Sequence, residues 1–130
     1  MILGRRSLER LVGVHPDLVR VVHKAVDLCT IADKDFTVLE GLRTEDRQRV
    51  LVAQGASKTM RSRHLTGHAV DLGAWVDGQV DWHWNLYDEL AGIVKDAARA
   101  VDVPVEWGGE AFGTFKDGPH FQLPWAVYPV

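Results

Sequence analysis

The sequence predicts an α+β domain, a small antiparallel sheet flanked by helices, and three features carry that expectation. Apolar residues recur at helical spacing early in the chain and again between Trp84 and Val101. Short apolar segments bounded by Gly, Pro or Asp lie between and after these stretches, as strands do. Asp77-Gly78 separates two of them with a tight-hairpin signal. Helices come first and the last strands are hairpin-connected, which favours an antiparallel sheet over a doubly wound one.

Taken in order, Ser7 to Val12 reads as a short helix. His15-Pro16-Asp17 then opens a longer one, with Pro in the first turn and an acid beside it. Leu18, Val21, Val22, Ala25, Leu28 and Cys29 form its buried face. Phe36 to Glu40 suits a strand, and Gly41 breaks it. Thr44 caps a helix running to about Gln54, with Glu45 and Asp46 near its positive end and Gly55 as its stop. Residues 56–66 are polar and read as a loop, and Ala69 to Val76 as a strand. The helix from Trp84 to Val101 places Leu86, Leu90, Ile93, Val94, Ala97 and Val101 on one side. Val103 to Trp107 and His120 to Leu123 complete the strands.

The 130 residues fit one domain, residues 1–130, able to bury a single core. Hydrophobic residues at 46% and charged residues at 25% are ordinary globular usage. A formal charge of -3 argues against a nucleic-acid binder. Lys58, Arg61 and Arg63 gather locally, but a run that short reads as a solvated loop. One cysteine, Cys29, excludes an intramolecular disulfide, and its place on a helical apolar stripe makes it a core residue rather than a nucleophile. No apolar segment follows the charged first ten residues, so no signal peptide is expected, and no stretch approaches the roughly 18–20 apolar residues of a membrane span. The expectation is a monomer without stable membrane association.

Two segments concentrate the chemistry: Ser62-Arg63-His64-Leu65-Thr66-Gly67-His68-Ala69-Val70-Asp71 and Asp117-Gly118-Pro119-His120-Phe121. Catalytic zinc takes three protein ligands and leaves a position for water. His64 and His68 have the spacing of one helical turn, but Gly67 interrupts it and no Glu follows His64. On a strand from Ala69, Asp71 shares a face with Ala69, while His68 and Val70 point the other way. The expected ligands of a single Zn²⁺ are therefore His64, Asp71 and, from far along the chain, His120. An acid inside an apolar strand needs such a partner.

The order Ser-x-His-x-x-Gly-x-Ala-x-Asp, then Asp-x-x-His, resembles the zinc peptidases that cut D-amino-acid-containing peptides of bacterial cell walls. These include D-alanyl-D-alanine carboxypeptidases and L-alanyl-D-glutamate endopeptidases, and they share a fold with the amino-terminal domain of hedgehog signalling proteins. The resemblance extends to Gly41-Leu42-Arg43-Thr44 with Gln48, to Gln54 through Thr59, to Trp107-Gly108-Gly109 and to Pro119 through Leu123. The stretch from Ser57-Lys58-Thr59 to Asp71 is most similar to the L-alanyl-D-glutamate endopeptidase branch, phage endolysins among them.

That resemblance implies His64, Asp71 and His120 as zinc ligands and Asp117 as general base. Other members of the group carry Glu at that position; read from the residues alone, Asp117 also suits a turn before Gly118-Pro119. Arg43 aligns with an arginine facing substrate or the developing oxyanion; Ser62 and Trp107 are expected substrate contacts, and His68 a neighbour of the site or a structural histidine. The remaining tryptophans are expected in the core or lining the cleft. The implied function is hydrolysis of the L-alanyl-D-glutamate bond in peptidoglycan stem peptides by a phage-type endolysin. It would be made in the cytoplasm and reach the wall with the help of a separate membrane-permeabilising protein. A D-alanyl-D-alanine carboxypeptidase on the same scaffold and a non-catalytic zinc-stabilised binding module are the alternatives.

Overall fold

The computed structural model describes residues 3–113 and 115–129; the first two residues of the expected domain, Thr114 and Val130 lie outside them. The order is α1 (Arg5–Arg10), α2 (Pro16–Ala32), β1 (Phe36–Glu40), α3 (Glu45–Ala53), a 3₁₀ turn (Arg63–Thr66), β2 (Ala69–Val76), β3 (Gln79–Asp81), α4 (Trp84–Ala100), β4 (Glu106–Trp107) and β5 (His120–Gln122). The sheet is antiparallel throughout, ordered β1-β2-β5-β4, with β3 pairing the far end of β2. The α+β expectation holds.

Local chemistry explains most boundaries. His15 Nδ1 accepts from the Asp17 amide to cap α2, behind Pro16 in the first turn. Thr44 Oγ1 accepts from the Arg47 amide at 3.1 Å to cap α3. Asp77 and Gly78 both have positive φ, 51° and 81°, the two-residue turn that matches strand twist. Three expectations shift. The first helix spans Arg5–Arg10 rather than Ser7 to Val12. Of Val103 to Trp107, only Glu106–Trp107 pairs, since Pro104 has no amide to give a ladder. The 56–66 loop ends in the 3₁₀ turn, closed by Gly67 at φ 75°, where a side chain would strike the Gly13 carbonyl.

α2 and α4 cover one face of the sheet. Leu18, Val21, Val22 and Cys29 from α2 meet Tyr87, Leu90, Val94 and Ala97 from α4 over Phe36, Val38, Val70, Leu72 and Phe121. Burial pushes the Cys29 thiol up to about 11, so it is a core residue and a poor nucleophile. Among the described residues no helix is long and apolar enough to cross a membrane.

The opposite face carries the polar residues, and a β-bulge arranges them. Val38 pairs with Leu72 and Glu40 with Asp71, so Leu39 is an extra residue in β1. Because strand faces alternate with period two, that insertion brings Glu40, rather than Leu39, opposite Asp71. Asp71 also pairs with His120 across β5. Glu40, Asp71 and His120 thus form one row across three strands.

Candidate metal and active site

The row opens into a cleft of about 560 Å³ that His64, Arg43, Ser62 and Asp117 also line. His64 reaches it from the 3₁₀ turn. Ser62 Oγ accepts from the His64 amide at 3.2 Å and starts that turn, while the Arg43 amide donates to the His64 carbonyl at 2.9 Å. His64 is 1% exposed, and its Nδ1 lies 2.8 Å from the Gly41 carbonyl. Since that carbonyl only accepts, Nδ1 carries the proton and Nε2 faces Asp71 Oδ1 at 3.1 Å with its lone pair.

His120 is oriented by a longer relay. The Glu106 carboxylate accepts from Gln122 Nε2 at 3.1 Å, which turns Gln122 Oε1 toward His120 Nε2 at 2.7 Å. His120 must then donate from Nε2, leaving the lone pair of Nδ1 3.3 Å from Asp71 Oδ1. One donor atom from each of His64, Asp71 and His120 falls within 4.8 Å of the other two. Three such atoms this close suit a positive charge among them, supplied by a metal ion or by protons on the imidazoles. Their N, N and O identities, with each imidazole oriented by a protein acceptor behind it, fit a zinc site with a position left open.

The electrostatics follow from that convergence. Burial alone would raise the Asp71 pKa; the His64 and His120 imidazoles, when they carry a proton toward Asp71 in place of a metal, outweigh it through charge and hydrogen bonds and hold the carboxyl well below its ordinary range. Asp117 goes the other way. Its pKa is raised, first by burial and then by the Asp71 charge, against the pull of His120, His64 and Arg43. Its backbone is pinned: its amide donates to the Gly108 carbonyl at 3.0 Å and its carbonyl accepts from the His120 amide at 3.2 Å. Gly108 is required there, because a Cβ would sit 2.4 Å from the Asp117 carbonyl oxygen.

Arg43 lies beside the donors but is engaged by protein. Its guanidinium pairs with Glu40 through Nε at 2.9 Å and through Nη2, donates to Gln48 Oε1 at 2.8 Å, and sits 3.5 Å from Asp71 Oδ2. Gln48, fully buried, is held in turn by Ser57 Oγ and the Thr59 carbonyl. Arg43 therefore links Glu40 to the second oxygen of Asp71.

Trp107 corrects an expectation: it is not among the cleft-lining residues. It is buried at 6% exposure, and its Nε1 donates to the Gly118 carbonyl at 2.7 Å, so it supports the Asp117 turn from behind. The other tryptophans correct another. Trp75, Trp82, Trp84 and Trp125 are all exposed, and only Trp125 lines the cleft. His68 points away, bonded to Thr66 Oγ1 at 2.7 Å and facing the His15 ring. Sequence reasoning gave no roles to Glu40, Gln122 and Glu106. Gln122 was within reach, since two residues along a strand from His120 is the same face; Glu40 was not, because the bulge decides its face.

Residues 1–123 match the family described as phage L-alanyl-D-glutamate peptidase. The chain is 32% identical over 120 residues to the L-alanyl-D-glutamate peptidase of Escherichia phage T5, a match covering 88% of this chain and 85% of that one. It is 33% identical over 123 residues to the L-alanyl-D-glutamate peptidase of Listeria phage A118, covering 95% of this chain but 42% of that longer protein. Among solved structures, the Serratia marcescens L-Ala D-Glu endopeptidase ChiX superposes with a TM-score of 0.88 at 52% identity, covering 97% of this chain and 92% of that one. The LdcB LD-carboxypeptidase shares the fold, with a TM-score of 0.56 at 16% identity over 89% of this chain and 67% of its own.

Proposed function

This chain belongs to the phage L-alanyl-D-glutamate peptidase family, and on that premise we propose that it is a zinc-dependent endopeptidase cutting the L-alanyl-D-glutamate bond of peptidoglycan stem peptides. The observation that carries the metal dependence is the convergence of His64, Asp71 and His120, each imidazole's other nitrogen bonded to protein. His64, Asp71 and His120 would hold a zinc ion, which when bound would supply Lewis-acid polarisation of the scissile carbonyl and acidify a water there.

The chain's own residues do the rest. Asp117, at the cleft wall with a raised pKa, takes a proton from the attacking water and returns it to the leaving amine. Gln122 and Glu106 hold the His120 ring, and Arg43 holds Asp71 and Glu40 in register. Ser62 keeps the His64 turn closed while its own position on the cleft wall admits a substrate contact. We assign the protein an endolysin-type role at the cell wall, acting as a monomer after release from the cytoplasm.

The test is mass spectrometry of purified peptidoglycan digested by the parent protein and by Asp117→Ala, each with and without zinc. New D-glutamate amino termini from the zinc-loaded parent alone support the reading. Loss of a terminal D-alanine instead would make it a carboxypeptidase. Zinc binding by both proteins with no cleavage by either would make it a binding module.

A further inference from the structure

The short basic run from Lys58 to Arg63, expected as a solvated loop, lines the cleft, with Lys58 and Arg61 exposed and Arg63 buried. Arg47, Lys58, Arg61 and Arg63 all face the cavity, and none of them has an acidic ion-pair partner among the described residues. The acids of the cleft, Glu40, Asp71 and Asp117, belong to the sheet floor and the Asp117 turn. In a chain of net charge -3, that leaves one wall with uncompensated positive charge.

Aromatic rings fix where these cations sit. The Arg61 guanidinium lies 5.2 Å from the Trp125 ring centre and that of Arg63 4.1 Å from it; Lys58 Nζ is 5.8 Å from the Phe115 ring. Arg63 is buried and donates through Nε and Nη2 to the carbonyls of Leu123 and Tyr128, while its Nη1 has no partner among the described residues, so it positions Trp125 and adds field. Arg61 and Lys58 are exposed, and their side chains donate to no group among the described residues. A guanidinium lying over an aromatic ring keeps its N–H edge free for a two-pronged bond to a carboxylate.

The substrate in the proposed reaction supplies such a group. A glutamate whose nitrogen lies in the scissile bond has two carboxyls, and the next residue of the stem uses at most one. The other is a free carboxylate a few bonds from the reacting amide. We propose that Arg61 and Lys58, held over Trp125 and Phe115, form the subsite that binds the free carboxylate of the D-glutamyl residue and select acidic over amidated stem peptides. This assignment rests on the endopeptidase reading above.

Two synthetic peptides carrying the L-alanyl-D-glutamyl bond test it, one with the spare carboxyl free and one with it as a primary amide. The zinc-loaded parent should cut the acid peptide with a kcat/KM about tenfold higher, mostly through KM, as suits a charge-assisted bond. Added salt should shrink that preference. The double variant Arg61→Gln, Lys58→Gln should lose the preference while cutting the amide peptide at the parent's rate, which also shows that it is folded. Equal cutting of both peptides by the parent, or a preference that survives in the double variant, overturns the subsite alone. Cutting of neither peptide by a zinc-loaded parent overturns the bond assignment and the subsite with it.

Discussion

His120 Nε2 and Gln122 Oε1 meet at 2.7 Å, two residues apart on one face of β5, and the contact decides which His120 nitrogen faces Asp71. Gln122→Ala frees the ring to rotate and to change tautomer. Zinc affinity should drop by about 10–100-fold, the usual effect of losing a group that orients a metal-bound histidine. Competition with a chromophoric chelator measures it, and an unchanged affinity would show that the relay from Glu106 is ornamental.

Asp117→Asn should lower kcat by about 10²–10⁴-fold while leaving zinc binding intact, the range expected for losing one general base. A parallel loss of metal would place Asp117 among the ligands instead.

The raised Asp117 pKa has a signed consequence for stability, read in chelator-treated protein. Burial and the Asp71 charge favour the protonated form in the folded state. The favourable contribution is full below the unfolded value near 3.9 and is lost as pH rises through the folded value. Asp117→Asn does not suffer that loss. Its thermal midpoint should exceed the parent's at pH 7 and match it below about pH 4. A variant less stable than the parent at pH 7 would contradict the assignment. In the zinc-loaded parent, kcat/KM should fall on the acid side as Asp117 takes its proton.

Removing zinc should abolish cleavage and lower the thermal midpoint. At a free zinc concentration of 100 Kd the bound ion contributes about 2.7 kcal/mol, roughly 10 °C for a domain of this size. Calorimetry with and without chelator, then zinc readdition, checks it; identical midpoints would mean that no metal binds the folded state selectively.

Two glycines should respond oppositely to alanine. At Gly108 the new methyl would meet the Asp117 carbonyl oxygen at 2.4 Å and His120 Cβ at 2.9 Å, so a cost of about 1–3 kcal/mol and a larger loss of activity are expected. At Gly92, inside α4, nothing lies within 4 Å, and alanine should stabilise by about 0.5–1 kcal/mol. Denaturant midpoints of the two variants, moving in opposite directions from the parent, report it.

The strands β1 and β2 were legible to the residue because Phe36–Glu40 and Ala69–Val76 are short, apolar and bounded by breakers. The strand before Trp107 was not, because pairing depends on a distant partner and Pro104 withdraws a donor. The tryptophans misled for a related reason: an aromatic residue's sequence context does not say which face its element turns to water.

Periodicity and breaker residues were enough to determine the fold class, and the spacing of His64, Asp71 and His120, with the family resemblance, to single out three residues that could hold a metal. Each of these is a property of single segments. What the tertiary structure alone decided lies between segments. The bulge at Leu39 put Glu40 beside Asp71, the pairing of β4 with β5 set Glu106 behind Gln122, and folding of the 56–66 loop turned Lys58 and Arg61 onto the cleft wall. Register and loop placement are fixed by contacts far apart in the chain, and no local spacing records them.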